Sequence, residues 1–172
     1  RTTPESLELQ QMLAQMRDAG CAACVMEVSS HALAQHRVDA VDFDIAAFTN
    51  LTQDHLDYHG DMKAYFGTKR LLFDGLKKGA VAVTNLDDPY GAQLVREGML
   101  TFGHSANAAI RAGDFMLGAE STQLTVITPN GPVPFMLPLI GRHNISNALA
   151  AYSIASAMGI DGCVIGKALA DV

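Results

Sequence analysis

Apolar runs and helical patterns alternate along roughly the first hundred residues of the chain. The runs Ala22–Val28, Phe43–Thr49 and Ala80–Thr84 are apolar at successive positions, as in strands that helices cover on both faces. Between them, apolar residues recur at helical spacing, most clearly in Met62–Lys78. Because strands and helices that alternate in this way form parallel sheets, we predict an α/β fold with a mostly parallel sheet flanked by helices.

The pattern changes in the last third of the chain. Ile110–Leu117, Gln123–Thr128 and Val133–Leu137 are short strand patterns, separated by Gly, Pro and the hairpin signal Asn130-Gly131. They predict a small antiparallel sheet appended to the parallel one, and two closing helices follow. We therefore predict one domain over residues 1–172, with a parallel part at about 1–103, antiparallel strands at about 108–138 and closing helices at about 142–172.

Composition narrows the class of protein. The chain of 172 residues is 49% hydrophobic and 17% charged, as in a globular domain, and its net charge of −6 argues against a non-specific nucleic-acid or membrane-surface binder. No apolar run approaches the roughly 20 residues of a membrane span. Cys21 and Cys24 form a C-x-x-C, but without a second metal-binding pair we predict buried or half-buried thiols. Three cysteines, an odd number, fit a reducing cytoplasm.

Polar residues follow three of the predicted strands. Glu27 and Ser29 end the first, Thr49-Asn50 the second and Thr84-Asn85 the third. Parallel strands place such residues at one sheet edge, where α/β folds bind ligands, so this pattern predicts a site there. The alternative is local: Asn and Thr favour turns, Ser29 or Ser30 caps a helix, and Glu27 makes a surface ion pair.

Two further segments contain candidate metal chemistry. Asp54–His59 holds two carboxylates and two imidazoles, which suit magnesium, a transition-metal hydrolase centre built on His55, Asp57 and His59, or a solvated loop. Lys69 continues the apolar stripe of its predicted helix. It either extends its amine into water or is a functional lysine whose neutral amine reacts with carbon dioxide to form a carbamate.

A third candidate lies at the start of the first closing helix. Asn144 and Asn147 share one face of its first turn. Such a pair of amides can contact a purine edge, and the alternative is that Asn144 caps the helix.

Four segments together resemble one known family. MEVSSHALAQHRV, FTNLTQDHLDYHGDMKAYFGTKRLLF, NLDD and GRHNISNALAA resemble, in this order, motifs of the central domain of the Mur ligases. The resemblance runs from Thr2 to about Gly159. It implies a P-loop-NTPase-like domain of a bacterial, cytoplasmic, ATP-dependent ligase that is monomeric at full length. Within the family, the motifs are most similar to those of ligases that add the third peptide residue to UDP-N-acetylmuramoyl-L-alanyl-D-glutamate.

The resemblance also implies roles for individual residues. It implies that Glu27, His55 and Lys69 hold Mg²⁺ and act in catalysis, with Lys69 carboxylated to N6-carboxylysine. The residues that it implies for the UDP-N-acetylmuramoyl dipeptide are Thr2, Thr3, Ser29, Gln35 and Arg37. Asn144 and Asn147 would contact ATP, and Asn50 would line the same cleft.

The chain departs from the family pattern in one respect. No G-x-x-x-x-G-K-[ST] phosphate loop occurs in it, so we expect a truncated domain that does not ligate alone. The expected incoming substrate is a diamino acid, meso-diaminopimelate or else L-lysine. Competing hypotheses are another Mur ligase, a ligase like folylpolyglutamate synthase, a metal-dependent hydrolase, and a non-catalytic binding module.

Overall fold

The computed structural model describes residues 2–172, and these fall into two compact units. The first unit contains residues 2–43 and Gln53–Lys78, and the second contains Asp44–Thr52 and Gly79–Val172. Among the described residues, no helix is both long enough and apolar enough to cross a membrane.

The second unit is built on one six-stranded sheet in which the strands follow chain order. The strands are β1 (Ile45–Phe48), β2 (Val81–Asn85), β3 (Leu100–Gly103), β4 (Ile110–Leu117), β5 (Thr122–Thr128) and β6 (Gly131–Leu137). Strands β1 to β4 pair in parallel, whereas β4, β5 and β6 pair antiparallel. The predicted fold class is therefore confirmed, and the antiparallel strands are appended to the parallel ones through the β3–β4 pair.

Helices α5 (Pro89–Leu94), α6 (Arg142–Ala157) and α7 (Gly162–Ala170) complete the second unit. The apolar face of α6 packs on the sheet, and its Ile145, Leu149 and Tyr152 are at most 2% exposed. The sheet contributes buried residues from five strands: Val83, Phe102, Ile110, Leu124, Val126 and Leu137. One apolar core thus holds parallel and antiparallel strands together.

Strand β6 carries prolines at alternate positions. Pro132 pairs with Ile127, and Pro134 pairs with Thr125. The hairpin closes between Thr128 and Gly131 around a two-residue loop. Proline has no backbone N–H, so it fits a ladder where that position points away from the partner strand.

The first unit is helical, with α1 (Ser6–Asp18), α2 (Ser30–Ala34), α3 (Leu56–His59) and α4 (Met62–Asp74). Its apolar cluster is small, with Leu9, Leu33 and Val38 buried at its centre. Asp61 caps α4 by accepting a hydrogen bond from the backbone N–H of Ala64. Helix α4 ends at Asp74, four residues before the predicted end at Lys78.

The prediction of a strand over Ala22–Val28 is wrong. Within the described residues this segment pairs with no strand, and residues 21–25 are exposed, with Val25 at 85%. An apolar run becomes a strand only where another strand supplies hydrogen-bond partners. For the same reason the prediction of buried thiols is wrong, since Cys21 and Cys24 are exposed.

Candidate functional site

The predicted site residues divide between the two units. Residues 2–43 and Gln53–Lys78, in the first unit, contain Thr2, Thr3, Glu27, Ser29, Gln35, Arg37, His55 and Lys69. The second unit contains Asn50, Asn144 and Asn147.

Thr3 joins the chain start to the segment that carries Glu27 and Ser29. Its side chain is 1% exposed, and its hydroxyl donates to the Glu27 carbonyl at 2.8 Å and accepts from the Ser29 N–H at 3.0 Å. The Ser29 hydroxyl caps α2 by accepting from the Ala32 N–H at 3.2 Å. The expected helix cap at Ser29 is thus confirmed, and both hydroxyls have partners inside the protein. Their predicted contacts with substrate stay predictions.

Arg37 is a nearly buried cation held by three groups. Its guanidinium donates to the Thr3 carbonyl at 3.1 Å and to the Gln35 amide oxygen, and it pairs with the Glu5 carboxylate at 3.2 Å. Its side chain is 9% exposed, yet among residues 2–172 its Nε is the one buried side-chain polar atom without a hydrogen-bond partner. An unpaired buried N–H costs roughly 1–3 kcal/mol, so this atom is suited to donate to a ligand oxygen.

Sequence reasoning did not identify Glu5 as a site residue. Its carboxylate neutralises part of the charge of Arg37 in the first unit. The Thr-Thr-Pro-Glu run at the chain start looks like an ordinary helix start, so the sequence offers no signal for this long-range pair.

Five rings form a connected group in the first unit, which we call the ring cluster: His31, His55, Tyr58, His59 and Tyr65. The centre of the His31 ring lies 4.9 Å from that of His55 and 4.3 Å from that of Tyr58. The rings of His59 and Tyr65 are stacked at 4.9 Å with 13° between their planes. The cluster brings together the predicted loop residues and two residues that sequence reasoning missed, His31 and Tyr65.

His55 has an unusual backbone. It precedes α3 with φ 54° and ψ 24°, in the left-handed region that a residue with a Cβ adopts at a cost of roughly 1–2 kcal/mol. Its ring Nδ1 lies 3.5 Å from the Asp54 carboxylate, and its side chain is partly exposed. Backbone strain of this kind collects at functional sites, which supports a role for His55.

Lys69 lies half-buried on α4, one turn after Tyr65. Its Nζ is 5.8 Å from the centre of the Tyr65 ring. Burial lowers the pKa of the Lys69 amine, and the Glu27 carboxylate opposes part of that shift. The amine is therefore deprotonated more readily than an exposed lysine, as a reaction with carbon dioxide requires.

Glu27, His55 and Lys69 supply donors of the types that a divalent cation accepts. Among the described residues, no three His, Cys, Asp or Glu side chains are arranged to hold a metal ion. The predicted set has only two side chains of these types, and its third donor would be the modified amine of Lys69. Glu27, His55 and a carboxylated Lys69 would supply carboxylate, imidazole and carbamate donors, whose chemistry suits such a cation. That these residues hold a cation stays a prediction.

In the second unit, the ends of β1 and β2 meet as predicted. The Asn85 side chain donates to the Thr49 carbonyl at 2.8 Å. The Asp88 carboxylate accepts from the Leu51 N–H at 3.0 Å and caps α5 through the N–H groups of Tyr90 and Gly91. These bonds hold the loop that contains Asn50, whose predicted contact with nucleotide stays a prediction.

The amides of Asn144 and Asn147 lie together at the start of α6. Asn144 donates to the Ile140 carbonyl at 2.9 Å and accepts from the Asn147 amide at 3.3 Å. The alternative prediction that Asn144 caps the helix is wrong, because the N-cap is Gly141, whose φ of 93° favours glycine. The paired amides remain candidates for nucleotide contacts.

Comparison with known proteins identifies the family. The family model described as "Mur ligase middle domain" matches residues 1–155. The chain belongs to the Mur ligase family. Its resemblance to Mur ligase motifs is thereby confirmed, and the match covers most of both units.

Curated relatives and solved structures agree with this assignment to the Mur ligases. UDP-N-acetylmuramoyl-L-alanyl-D-glutamate–2,6-diaminopimelate ligases from Geobacter sulfurreducens and Gloeobacter violaceus are each 47% identical, over 95% and 93% of this chain. A solved ligase of the same printed name matches 99% of the chain with 30% identity and a TM-score of 0.90. MurF from Acinetobacter baumannii matches 80% with 25% identity and a TM-score of 0.72.

The matches also have a limit in length. This chain spans about a third of the curated relatives, namely 34% and 33% of the two named above. It spans 37% and 31% of the two solved chains.

Proposed function

We propose that this chain is the central part of an ATP-dependent amide ligase of peptidoglycan synthesis. The ligase adds a diamino acid, meso-diaminopimelate or else L-lysine, to UDP-N-acetylmuramoyl-L-alanyl-D-glutamate. The observation that carries this proposal is 47% identity, over 95% of the chain, to a relative whose printed name states the diaminopimelate reaction. This similarity favours the ligase over the hydrolase and the non-catalytic module. The proposal includes a cytoplasmic location and a full-length monomer.

Glu27, His55 and carboxylated Lys69 would hold Mg²⁺. When bound, the cation supplies positive charge that neutralises phosphate oxygens during phosphoryl transfer. Carboxylation begins from the neutral amine: Nζ adds to the carbon of carbon dioxide, a C–N bond forms as one C–O π bond breaks, and a proton leaves Nζ to solvent. The product is an anionic carbamate, which attracts the cation that an ammonium would repel.

Arg37 and its neighbours would bind the UDP-N-acetylmuramoyl dipeptide. The buried Nε of Arg37, which has no hydrogen-bond partner, supports this role, because an anionic oxygen of the substrate would give it one. The other proposed dipeptide contacts are Thr2, Thr3, Ser29 and Gln35. Asn144 and Asn147 would contact ATP, with Asn50 in the same cleft.

The proposed reaction needs no protein nucleophile. The substrate's glutamyl carboxylate attacks the γ-phosphorus of ATP and forms an acyl phosphate as ADP leaves. The amine of the diamino acid then adds to the acyl carbon, loses a proton, and expels phosphate from the tetrahedral intermediate to leave an amide. The protein contributes position and charge, which dominate phosphoryl and acyl transfer.

The test is a ligation assay on the intact gene product that contains this chain. With ATP, Mg²⁺, the UDP-dipeptide and meso-diaminopimelate, we expect tripeptide and phosphate in equal amounts. Lys69→Ala should lower kcat by at least about 100-fold, because it removes a charge-neutralising cation ligand. The 172-residue chain alone, which lacks the phosphate-loop pattern, should form no product. Hydrolysis of a phosphate ester or amide without ATP would instead support the hydrolase.

A further inference from the structure

Tyr65 contacts both His55 and Lys69 in the first unit. Its side chain is 6% exposed. The centre of its ring lies 6.0 Å from that of His55, which it meets edge to face, and 5.8 Å from Lys69 Nζ. We propose that Tyr65 is a positioning residue that holds His55 and Lys69 in the arrangement required to share a cation. This inference rests on the proposed function, since it takes His55 and Lys69 as ligands.

Ser30 and His59 hold Tyr65 from two sides. The Tyr65 hydroxyl hydrogen-bonds with the Ser30 side chain, and the Ser30 hydroxyl also lies 2.8 Å from His59 Nε2. The His59 ring stacks on the Tyr65 ring. Ser30 is 1% exposed, so both ends of the stacked pair are fixed to a buried group at the start of α2. The Tyr65 ring therefore has a defined position before any ligand binds.

A fixed ring restricts the two proposed ligands in different ways. Lys69 follows Tyr65 by four residues on α4, so its long side chain lies along the same helix face. The Tyr65 ring blocks one side of the space that the Lys69 amine could occupy. The Lys69 side chain therefore loses less conformational entropy when its amine becomes a ligand. The Tyr65 ring meets the His55 imidazole with 77° between their planes, so it limits rotation of the imidazole. Mutation of residues that contact and orient metal ligands commonly lowers metal affinity by about 10–100-fold.

The experiment uses the intact gene product that contains this chain and compares the unsubstituted form with Tyr65→Phe, Tyr65→Leu and Ser30→Ala. Tyr65→Phe keeps the ring, Tyr65→Leu removes it, and Ser30→Ala removes its anchor. Tyr152→Leu is the matched control, because Tyr152 is another buried tyrosine, 2% exposed, in the second unit. Circular dichroism establishes that each variant is folded. The readouts are the ¹³C signal of the carbamate in ¹³C-bicarbonate, assigned by its loss in Lys69→Arg, and the Kd for Mn²⁺ from electron paramagnetic resonance.

We expect Tyr65→Leu to lose most of the carbamate signal and to bind Mn²⁺ about tenfold more weakly. Tyr152→Leu should stay close to the unsubstituted chain. Tyr65→Phe and Ser30→Ala both lose the hydrogen bond between Tyr65 and Ser30, so they should lie between the unsubstituted chain and Tyr65→Leu. If the unsubstituted chain shows the carbamate and binds Mn²⁺ but Tyr65→Leu matches it, the role of Tyr65 is overturned alone. If Tyr65→Leu does not fold, equal affinities in Ser30→Ala and the unsubstituted chain overturn it. If the unsubstituted chain shows neither signal, both this inference and the proposed cation site fail.

Discussion

The two units use their residues in opposite ways. The second unit has a sheet of six strands and one large apolar core. Five side chains of this core are fully buried: Val83, Leu124, Val126, Ile145 and Leu149. The first unit has a small apolar cluster around Leu9 and Leu33 but contains the ring cluster, Arg37 and Lys69. Apolar packing therefore dominates the stability of one unit, whereas the other depends on polar bonds around the proposed chemistry.

The largest expected change in stability comes from substitutions in the apolar cores of the two units. Leu149→Ala should lower the free energy of unfolding by about 3–5 kcal/mol, because it opens a cavity in the large core. Leu9→Ala, in the smaller cluster, should cost only about 2 kcal/mol, because fewer packed neighbours surround it. Urea denaturation of both variants gives the two values. Equal losses would show that the first unit is packed as firmly as the second.

Removing hydrogen bonds in the first unit should give the next largest loss of stability. Thr3→Val keeps the shape of the side chain but leaves the Ser29 N–H and the Glu27 carbonyl without their partner, so it should cost about 1–3 kcal/mol. Thr68→Val is the matched control on α4, where the hydroxyl bonds to the Ala64 carbonyl at an exposed position, and it should cost no more than about 0.5 kcal/mol. Urea midpoints compare the two, and similar losses would contradict the importance assigned to Thr3.

The half-buried amine of Lys69 should make no net contribution to the stability of the fold at neutral pH. The lowered pKa of Lys69 means that the folded chain releases this proton before the unfolded chain does, so stability should rise with pH above the lowered pKa and level off above 10.5. Lys69→Met should flatten this rise and leave the free energy of unfolding at pH 7 unchanged or higher by about 1 kcal/mol or less. Denaturation between pH 7 and 11 measures it. A clear loss of stability at pH 7 would mean that the amine stabilises the fold.

The smallest effect concerns His59. Burial, His31 and His55 lower its pKa, with Asp57 opposing and Lys69 adding to the shift. Below pH 6.5 the unfolded chain therefore binds this proton first, and the first unit should lose stability until the pH passes the lowered pKa. The protection factors of α4 amides, which correct for the slower intrinsic exchange at lower pH, should fall between pH 7 and pH 5. His59→Gln should weaken this dependence, whereas His143→Gln, in the second unit, should not.

Prediction from sequence succeeded where local pattern decides structure. The strand Ile110–Leu117 has the predicted bounds, because alternation and hairpin residues specify it locally. The segment 22–28 failed, because an apolar run does not reveal whether a partner strand is present. Residue type and resemblance predicted the polar candidates, and their roles stay predictions. Glu5 and Tyr65 were missed, because their contacts form only in the folded chain.

The alternating prolines of β6 have a consequence for behaviour in concentrated solution. Pro132 and Pro134 pair with β5, so the backbone positions that lack an N–H lie along the outer edge of the strand. If another extended chain paired with this edge, two of its carbonyl groups would lie opposite proline nitrogens and would receive no hydrogen bond. We infer that β6 ends the sheet and protects this edge of the second unit from growth into aggregates.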